Sequence, residues 1–205
     1  MVVETYQNPS DDTRDKLLAA ALHQFAERGF YGASIAQIAG EVGLTKQALL
    51  YHFKRKDDLY SEVLKGIAVR LLSAMRSGVN LAKPPEEQFE AMFSGIYTAA
   101  LKSPLDARVL MRELLDDQRR DAPPNEWFLK VFLEELVGVL DGVKALAELP
   151  RAAKFARVYQ LLSLIKFFAS SESVLTRFYG EQGYAQIVAV FPEELRMLVR
   201  RAIAP

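Results

Sequence analysis

Along most of the chain, apolar residues recur every three or four positions, and glycine and proline fall mainly between such stretches. That is the pattern of amphipathic helices and their ends. Alternation with period two is scarce, so the expected fold class is all-α. The first predicted helix runs from Thr13 to Arg28, with Leu18, Ala21, Leu22 and Phe25 on one stripe. Asp11, Asp12 and Asp15 suit its positive end and Arg28 its negative end. Gly29 can take the left-handed conformation that stops a helix, and Phe30 and Tyr31 follow as packing anchors.

A short second helix is predicted from Ser34, where Ser34 and Gln37 have capping-box spacing and Ile35, Ile38, Ala39 and Val42 form the buried side. Gly43 ends it. Thr45 caps a third helix through Tyr51, with Leu49 facing inward between Leu44 and Phe53. A long fourth helix is expected from Asp57 to Ser77, with Leu59, Val63, Ile67, Leu71 and Leu72 on its apolar side. Further helices are predicted over 86–102, 104–119, 124–147, 151–172 and 193–203, while 173–192 reads as a short helix or a loop around Gly180 and Gly183.

Helix, glycine-containing turn and short helix, spaced as Ser34 to Phe53, form a helix-turn-helix pattern. A short helix fits the major groove with its N-terminal half near base edges. Because Leu49 holds the third helix down, Lys46, Gln47 and Leu50 are left on its outward face. Lys can donate to guanine, Gln can bond adenine through two contacts, and Leu can touch a thymine methyl. Thr45, Tyr51 and His52 reach phosphates, contacts that set register rather than sequence. Ser34 and Lys56 stand at starts of neighbouring helices, where backbone N–H groups favour a phosphate and Lys56 adds charge. Each residue also has a plainer reading: Ser34 and Thr45 as caps, Tyr51 as packing, His52 as surface. His23 reads as a helix-surface residue.

Charge bears on this in two ways. Lys and Arg number 26 and Asp and Glu 26, so the net charge is zero, which does not favour a nucleic-acid partner. Phosphates meet only one face, however. Residues 1–44 hold more acid than base, whereas Thr45 to Lys56 contains Lys46, Lys54, Arg55 and Lys56 without an acid. Hydrophobic residues make up 50% of the chain, enough for a sizeable core. The absence of cysteine excludes disulfides, thiolate metal sites and cysteine nucleophiles. The polar start from Met1 to Asp12 has no signal-peptide pattern, and no run of about 18 uncharged apolar residues marks a membrane span. A cytoplasmic protein without membrane partner, metal or cofactor is expected.

Residues 13–64 resemble the DNA-binding domain of the tetracycline-repressor (TetR) family. The resemblance rests on Phe-Ala-Glu-Arg-Gly-Phe from Phe25, Ser-Ile-Ala-Gln-Ile-Ala from Ser34 and Gly-Leu-Thr from Gly43. It continues through Leu-Tyr-His-Phe from Leu50 and the Phe-x-x-Lys-x-x-Leu step from Phe53 to Leu59. One departure is Gln47-Ala48-Leu49, where the family often has Ser, Pro or a similar residue at the second of these positions. The resemblance implies an all-helical C-terminal domain with a ligand cavity, and a homodimer built mainly by the last long helices. The expected organisation is therefore a helix-turn-helix domain over 1–56, a three-helix unit, and a helical-bundle effector-binding and dimerisation domain over 57–205.

The C-terminal residues fit this picture more loosely. From Trp127 to Leu140 the chain is apolar nearly all round, which predicts a central helix. The helix from Phe155 to Ala169 is similar, with its polar residues Gln160, Ser163, Lys166 and Ser170 in a narrow stripe. A helix with two apolar faces serves a core on one side and a subunit partner on the other. Leu195, Leu198, Val199 and Ile203 make a stripe for the same interface. Met92, Phe93, Tyr97, Met111, Leu115, Trp127, Phe128, Tyr159 and Ser163 are candidates for lining a mostly apolar pocket, with ordinary core packing as the alternative. Arg108, Arg112 and Lys166 offer themselves to an anionic ligand or to salt bridges.

The expected function is a DNA-binding transcriptional regulator: a repressor on a palindromic double-stranded operator, released by a small-molecule effector. A factor of the same fold controlled by a partner protein, or without an effector, is the alternative. An enzyme is disfavoured, since there is no phosphate-binding glycine loop, metal-ligand cluster or nucleophile elbow, and only two histidines.

Overall fold

A computed structural model describes residues 9–115 and 128–205 of the chain. Those residues form helices and turns, with no strand among them. The helices are α1 (Pro9–Gly32), α2 (Ile35–Glu41), α3 (Lys46–His52), α4 (Lys56–Arg76), α5 (Pro85–Lys102), α6 (Pro104–Leu115), α7 (Phe128–Asp141), α8 (Arg151–Ser170) and α9 (Glu172–Ala202). A 3-10 turn, Lys144–Leu146, joins α7 to α8. Internal contacts divide the chain into two units. Among the described residues, the first holds those from Pro9 to Gly66 together with Arg108–Leu115, and the second holds Ile67–Ala107 and 128–205.

In the first unit α1 buries Leu17, Ala21, Phe25 and Ala26. The buried stripe is turned slightly from the expected one, so that Leu18 and Leu22 are only half-buried and Gln24 is buried. Gln24 is tolerated there because its amide donates to Glu41 of α2. α1 kinks at Gly29, whose φ of 70° is left-handed. Phe25 meets the Tyr60 ring edge-on at 4.8 Å, and Phe30 meets the same ring at 5.2 Å. Around these rings Ile38, Ala39, Leu49, Phe53, Leu59 and Val63 complete a small core.

The second part of α6 belongs to this unit. Arg112 donates from Nε to the Ala26 carbonyl at 3.0 Å and from Nη2 to the Glu27 carbonyl at 2.9 Å. It thereby satisfies carbonyls that the kink at Gly29 would otherwise orphan. Arg108 pairs with Glu27 at 2.6 Å, and Tyr60 donates to Glu113 at 2.8 Å. Arg108 and Arg112 are thus engaged within this unit rather than open to an anionic ligand.

The second unit is a helical bundle whose core includes Phe89, Phe93 and Ile96 of α5, Leu136 and Leu140 of α7, Val158 and Ile165 of α8, and Leu195 and Val199 of α9. α5 crosses α4 so closely at Gly95 that a Cβ there would overlap the carbonyl oxygen of Ala74. Two sequence expectations change here. α7 has one buried side, Phe132, Leu136, Val137 and Leu140, while Val131 is exposed. Residues 173–192 are helical, as part of α9, with a break at Gly180 (φ 72°) and Pro192 inside. Gly180 therefore interrupts a helix rather than marking a loop. Arg157 of α8 caps the end of α9 by donating to the Ala202 and Ala204 carbonyls, each at 2.7 Å.

Candidate nucleic-acid interface

The turn between α2 and α3 is built by backbone bonds and one glycine. The N–H of Leu44 reaches back to the Ala39 carbonyl at 2.9 Å, and Gly43 takes a φ of 72°. Thr45 caps α3, its hydroxyl accepting from the N–H of Ala48 at 3.2 Å. Leu49 is fully buried and Phe53 nearly so, which pins α3 by one side. The opposite side carries Lys46, Gln47 and Tyr51, all exposed, while Leu50 and His52 are half-buried beside them.

Tyr51 decides what kind of face this is. It is 87% exposed, more than the other large hydrophobic side chains recorded as exposed, and its ring meets only His52, edge-on at 5.7 Å. A tyrosine this exposed presents an apolar ring and a hydroxyl together to whatever meets the face. Lys46 and Lys54 have no hydrogen-bond or ion-pair partner among the described residues, though the charge of Lys54 acts on Asp58. Arg55 pairs with Asp58 at 2.9 Å, which lowers that carboxyl and raises the guanidinium. Lys56 lies with Nζ 4.7 Å from the Phe30 ring centroid, and burial pushes its ammonium down. The face is therefore basic through Lys46, Lys54 and Lys56, despite a chain of zero net charge.

At Ser34 the expected capping box is not formed. Ser34 occupies the N-cap position in extended geometry, yet its hydroxyl makes no cap bond. Gln37 instead accepts from Arg28 at 3.2 Å.

The interface candidates Ser34, Thr45, Lys46, Gln47, Leu50, Tyr51, His52 and Lys56 thus fall within one stretch of one unit. Among the described residues no helix is long and apolar enough to cross a membrane, and no cluster of three or more His, Cys, Asp or Glu has metal-binding geometry.

A family profile described as bacterial regulatory proteins, tetR family, matches residues 17–63, the span that holds this interface. The solved structure of a TetR-like transcriptional regulator from Rhodococcus sp. RHA1 superposes with a TM-score of 0.71 at 18% identity, covering 96% of this chain and 98% of that one. The chain thus carries the segment that marks the tetR family of bacterial regulatory proteins. It is a DNA-binding transcriptional regulator.

Relatives align with this regulator to different extents. The HTH-type transcriptional repressor KstR2 of Rhodococcus jostii is 25% identical over 96% of this chain and 97% of its own length. The HTH-type transcriptional activator FasR of Mycolicibacterium smegmatis is 30% identical over 43% of this chain, which spans 41% of that protein.

The pocket candidates of the regulator are spread more widely. Met92, Phe93 and Tyr97 are buried on α5. Phe93 and Tyr97 border a recess of about 50 Å³ with Leu195, Arg196 and Val199 of α9, room for a water or two. Met111 and Leu115 lie in the other unit, with Leu115 exposed. Tyr159 is also exposed, stacked on Phe155 at 5.7 Å, and exposed Ser163 spends its hydroxyl on the Tyr159 carbonyl at 2.7 Å. Trp127 lies outside the described residues, as does the side chain of Phe128. Of the polar candidates, Lys166 is the one that turns inward: it is 8% exposed, and its ammonium has no hydrogen-bond partner among the described residues.

Proposed function

We propose that this regulator is an effector-controlled repressor. In this reading it acts in the cytoplasm as a homodimer whose paired α3 helices read a palindromic operator. The observation that carries the reading is the division of labour on α3, with Leu49 buried and Lys46, Gln47 and Tyr51 exposed. Lys46 and Gln47 take base edges, and Leu50 touches a thymine methyl. Tyr51, His52, Thr45 and Ser34 take phosphates, with Lys56 adding charge from the start of α4. That a relative aligned along nearly its whole length is named a repressor supports the sign of control.

Dimerisation is assigned to α8 and α9. Phe155, Tyr159 and Phe167 of α8 and Val174, Phe178, Tyr179, Met197 and Leu198 of α9 are exposed. So much apolar surface on two helices is what a subunit interface covers. Leu195 and Val199, expected on that interface, are instead core residues of the protomer. A C2 dimer holds two recognition helices about one DNA turn apart, roughly 34–36 Å. A small, mostly apolar effector that binds the C-terminal unit more tightly when those helices are differently spaced would release the operator by that difference in affinity.

The test is selection of binding sites from random duplex DNA by the full-length protein. We expect a two-fold symmetric site with half-sites about one turn apart, bound by one dimer. A selected site without symmetry, or no enrichment, would overturn the operator reading.

A further inference from the structure

The second unit contains a buried positive charge that the fold does not use. Lys166 lies on α8 with its Nζ shielded from solvent and without a hydrogen-bond partner among the described residues. One turn further along α8, the hydroxyl of Ser170 is buried and likewise unpartnered. Residues four apart on a helix share a face, with Cβ atoms about 6 Å apart. An acid is near: Asp106, at the start of α6, acts electrostatically on Lys166. Its two oxygens are already bound by Arg70 of α4, at 2.8 Å each. Arg70 thus takes both oxygens of Asp106, and Lys166 feels that carboxylate's charge without a hydrogen bond to it.

A buried ammonium without a partner destabilises a folded protein. Burial pushes its titration down to about 8, which still leaves it mainly charged at neutral pH. Other buried cations of this unit are satisfied: Lys154 pairs with Asp141 at 2.9 Å. Lys166 and Ser170 together offer two donors and one charge. Leu162, Ile165 and Ala169 on the same helix are buried and apolar. One ammonium with one hydroxyl neutralises a single negative charge and leaves a dianion unbalanced.

We propose that Lys166 and Ser170 receive the carboxylate of the effector, which is an apolar monocarboxylic acid. The ammonium donates to one carboxylate oxygen and the Ser170 hydroxyl to the other. The apolar body of the acid lies among the helices of the second unit. This rests on the effector reading above and narrows it to a ligand class.

Isothermal titration calorimetry on the full-length protein tests it near neutral pH. The probes are dodecanoate, hexadecanoate and 2-naphthoate, each beside its own primary amide, on wild type, Lys166→Met and Ser170→Ala. We expect at least one acid to bind wild type about ten- to a hundredfold more tightly than its amide. Lys166→Met should lose that preference while keeping the affinity for the amide, and Ser170→Ala should lose part of it. Circular dichroism checks the fold, and if Lys166→Met does not fold, Lys166→Gln removes the charge and keeps a donor. A Lys166 that is merely structural would leave the acid-to-amide ratio unchanged, which overturns the proposal. So does binding of none of the acids, or tighter binding of dodecyl phosphate than of dodecanoate. Operator release is measured separately. Amides that release operator as well as acids, with no effect of Lys166→Met, would keep the effector reading and sink the carboxylate. Acids that bind through Lys166 without moving operator affinity would do the reverse.

Discussion

The two units of this regulator differ in the residues they leave exposed and in those they bury unpartnered. The first puts polar groups outside: Lys46 and Gln47 stand exposed on a helix pinned by buried Leu49. The second buries polar groups, with Lys166, Tyr97 and Ser170 unpartnered inside it, and exposes Phe155, Phe167, Phe178 and Tyr179. Each pattern matches the chemistry of its partner. DNA presents charge and hydrogen-bonding edges, so it is met with exposed polar groups. The second subunit and apolar effector proposed above would present hydrocarbon, which suits apolar surface outside and isolated polar groups inside. Breaking either pattern should damage one unit's task and spare the other's.

The largest effect is expected where the exposed apolar surface is given charge. Leu198→Glu, or Phe167→Glu, should convert the dimer to a folded monomer, because a carboxylate would then be buried without a partner. A monomer engages one half-site at a time and loses the second as a linked contact, so operator affinity should fall by about 10²–10⁴-fold. Sedimentation, circular dichroism and operator titration on the same sample check this. A dimer that survives both substitutions would remove α8 and α9 from the interface.

The next effect comes from the buried charge. Lysine ordinarily titrates at 10.5, and burial brings Lys166 to about 8. Below about 8 both folded and unfolded chains hold the proton, and the native state carries the full penalty. Between 8 and 10.5 the native state releases it first, so the unfolded chain binds more protons and stability rises with pH. Lys166→Met has no such rise. It should be more stable than wild type below pH 8, by roughly 3 kcal/mol, and the two should converge above 10.5. Burial also raises the phenols of Tyr97 and Tyr184, but these are common to both proteins and cancel in the difference. Equal stability of the two proteins across the range would show that the ammonium carries no burial penalty.

The difference also explains what could be read from residues alone. Helix starts and stops along α1 to α3 follow short-range rules: Gly29, Gly43 and the Thr45 cap each act on backbone within a few positions. The face of α3 then follows from one buried leucine. Arg112 obeys no such rule, because the carbonyls that it binds lie 85 and 86 positions away. Its only sequence signal is a basic residue among apolar ones, which reads equally well as a ligand contact. The exposure of Tyr159 and Ser163 was hidden for a related reason. On α8 both flanks of the helix are apolar, so periodicity does not say which flank meets the protomer and which meets solvent or a partner. The continuation of α9 through residues 173–192 was masked by Gly180 and Pro192, which punctuate a sequence more strongly than they interrupt this helix.

Returning to the exposed polar side, Lys46→Ala and Gln47→Ala should each weaken operator binding by about 1–3 kcal/mol while changing random-sequence binding less. Competition of labelled operator against random duplex reads both quantities at once. An unchanged ratio in both variants would mean that sequence is read elsewhere.

The smallest effect separates charge from packing at the edge of the interface. Tyr51 offers a hydroxyl and no charge, so Tyr51→Phe should weaken operator and random DNA alike and leave the salt dependence as it was. Lys56 offers a charge, but it also rests on the Phe30 ring at 4.7 Å, and burial lowers its titration. Lys56→Ala should therefore cost some stability of the first unit through lost packing, as well as a phosphate contact. Only the second loss releases fewer counterions, so it alone appears as a slope, smaller by about one unit, in a plot of log affinity against log salt. Lys56→Met retains most of the packing on Phe30 and removes the charge. If its slope falls as that of Lys56→Ala does, Lys56 meets the backbone of DNA. If the slope stays at the wild-type value in both, Lys56 serves Phe30 alone, and Lys46 and Lys54 supply the charge at this edge.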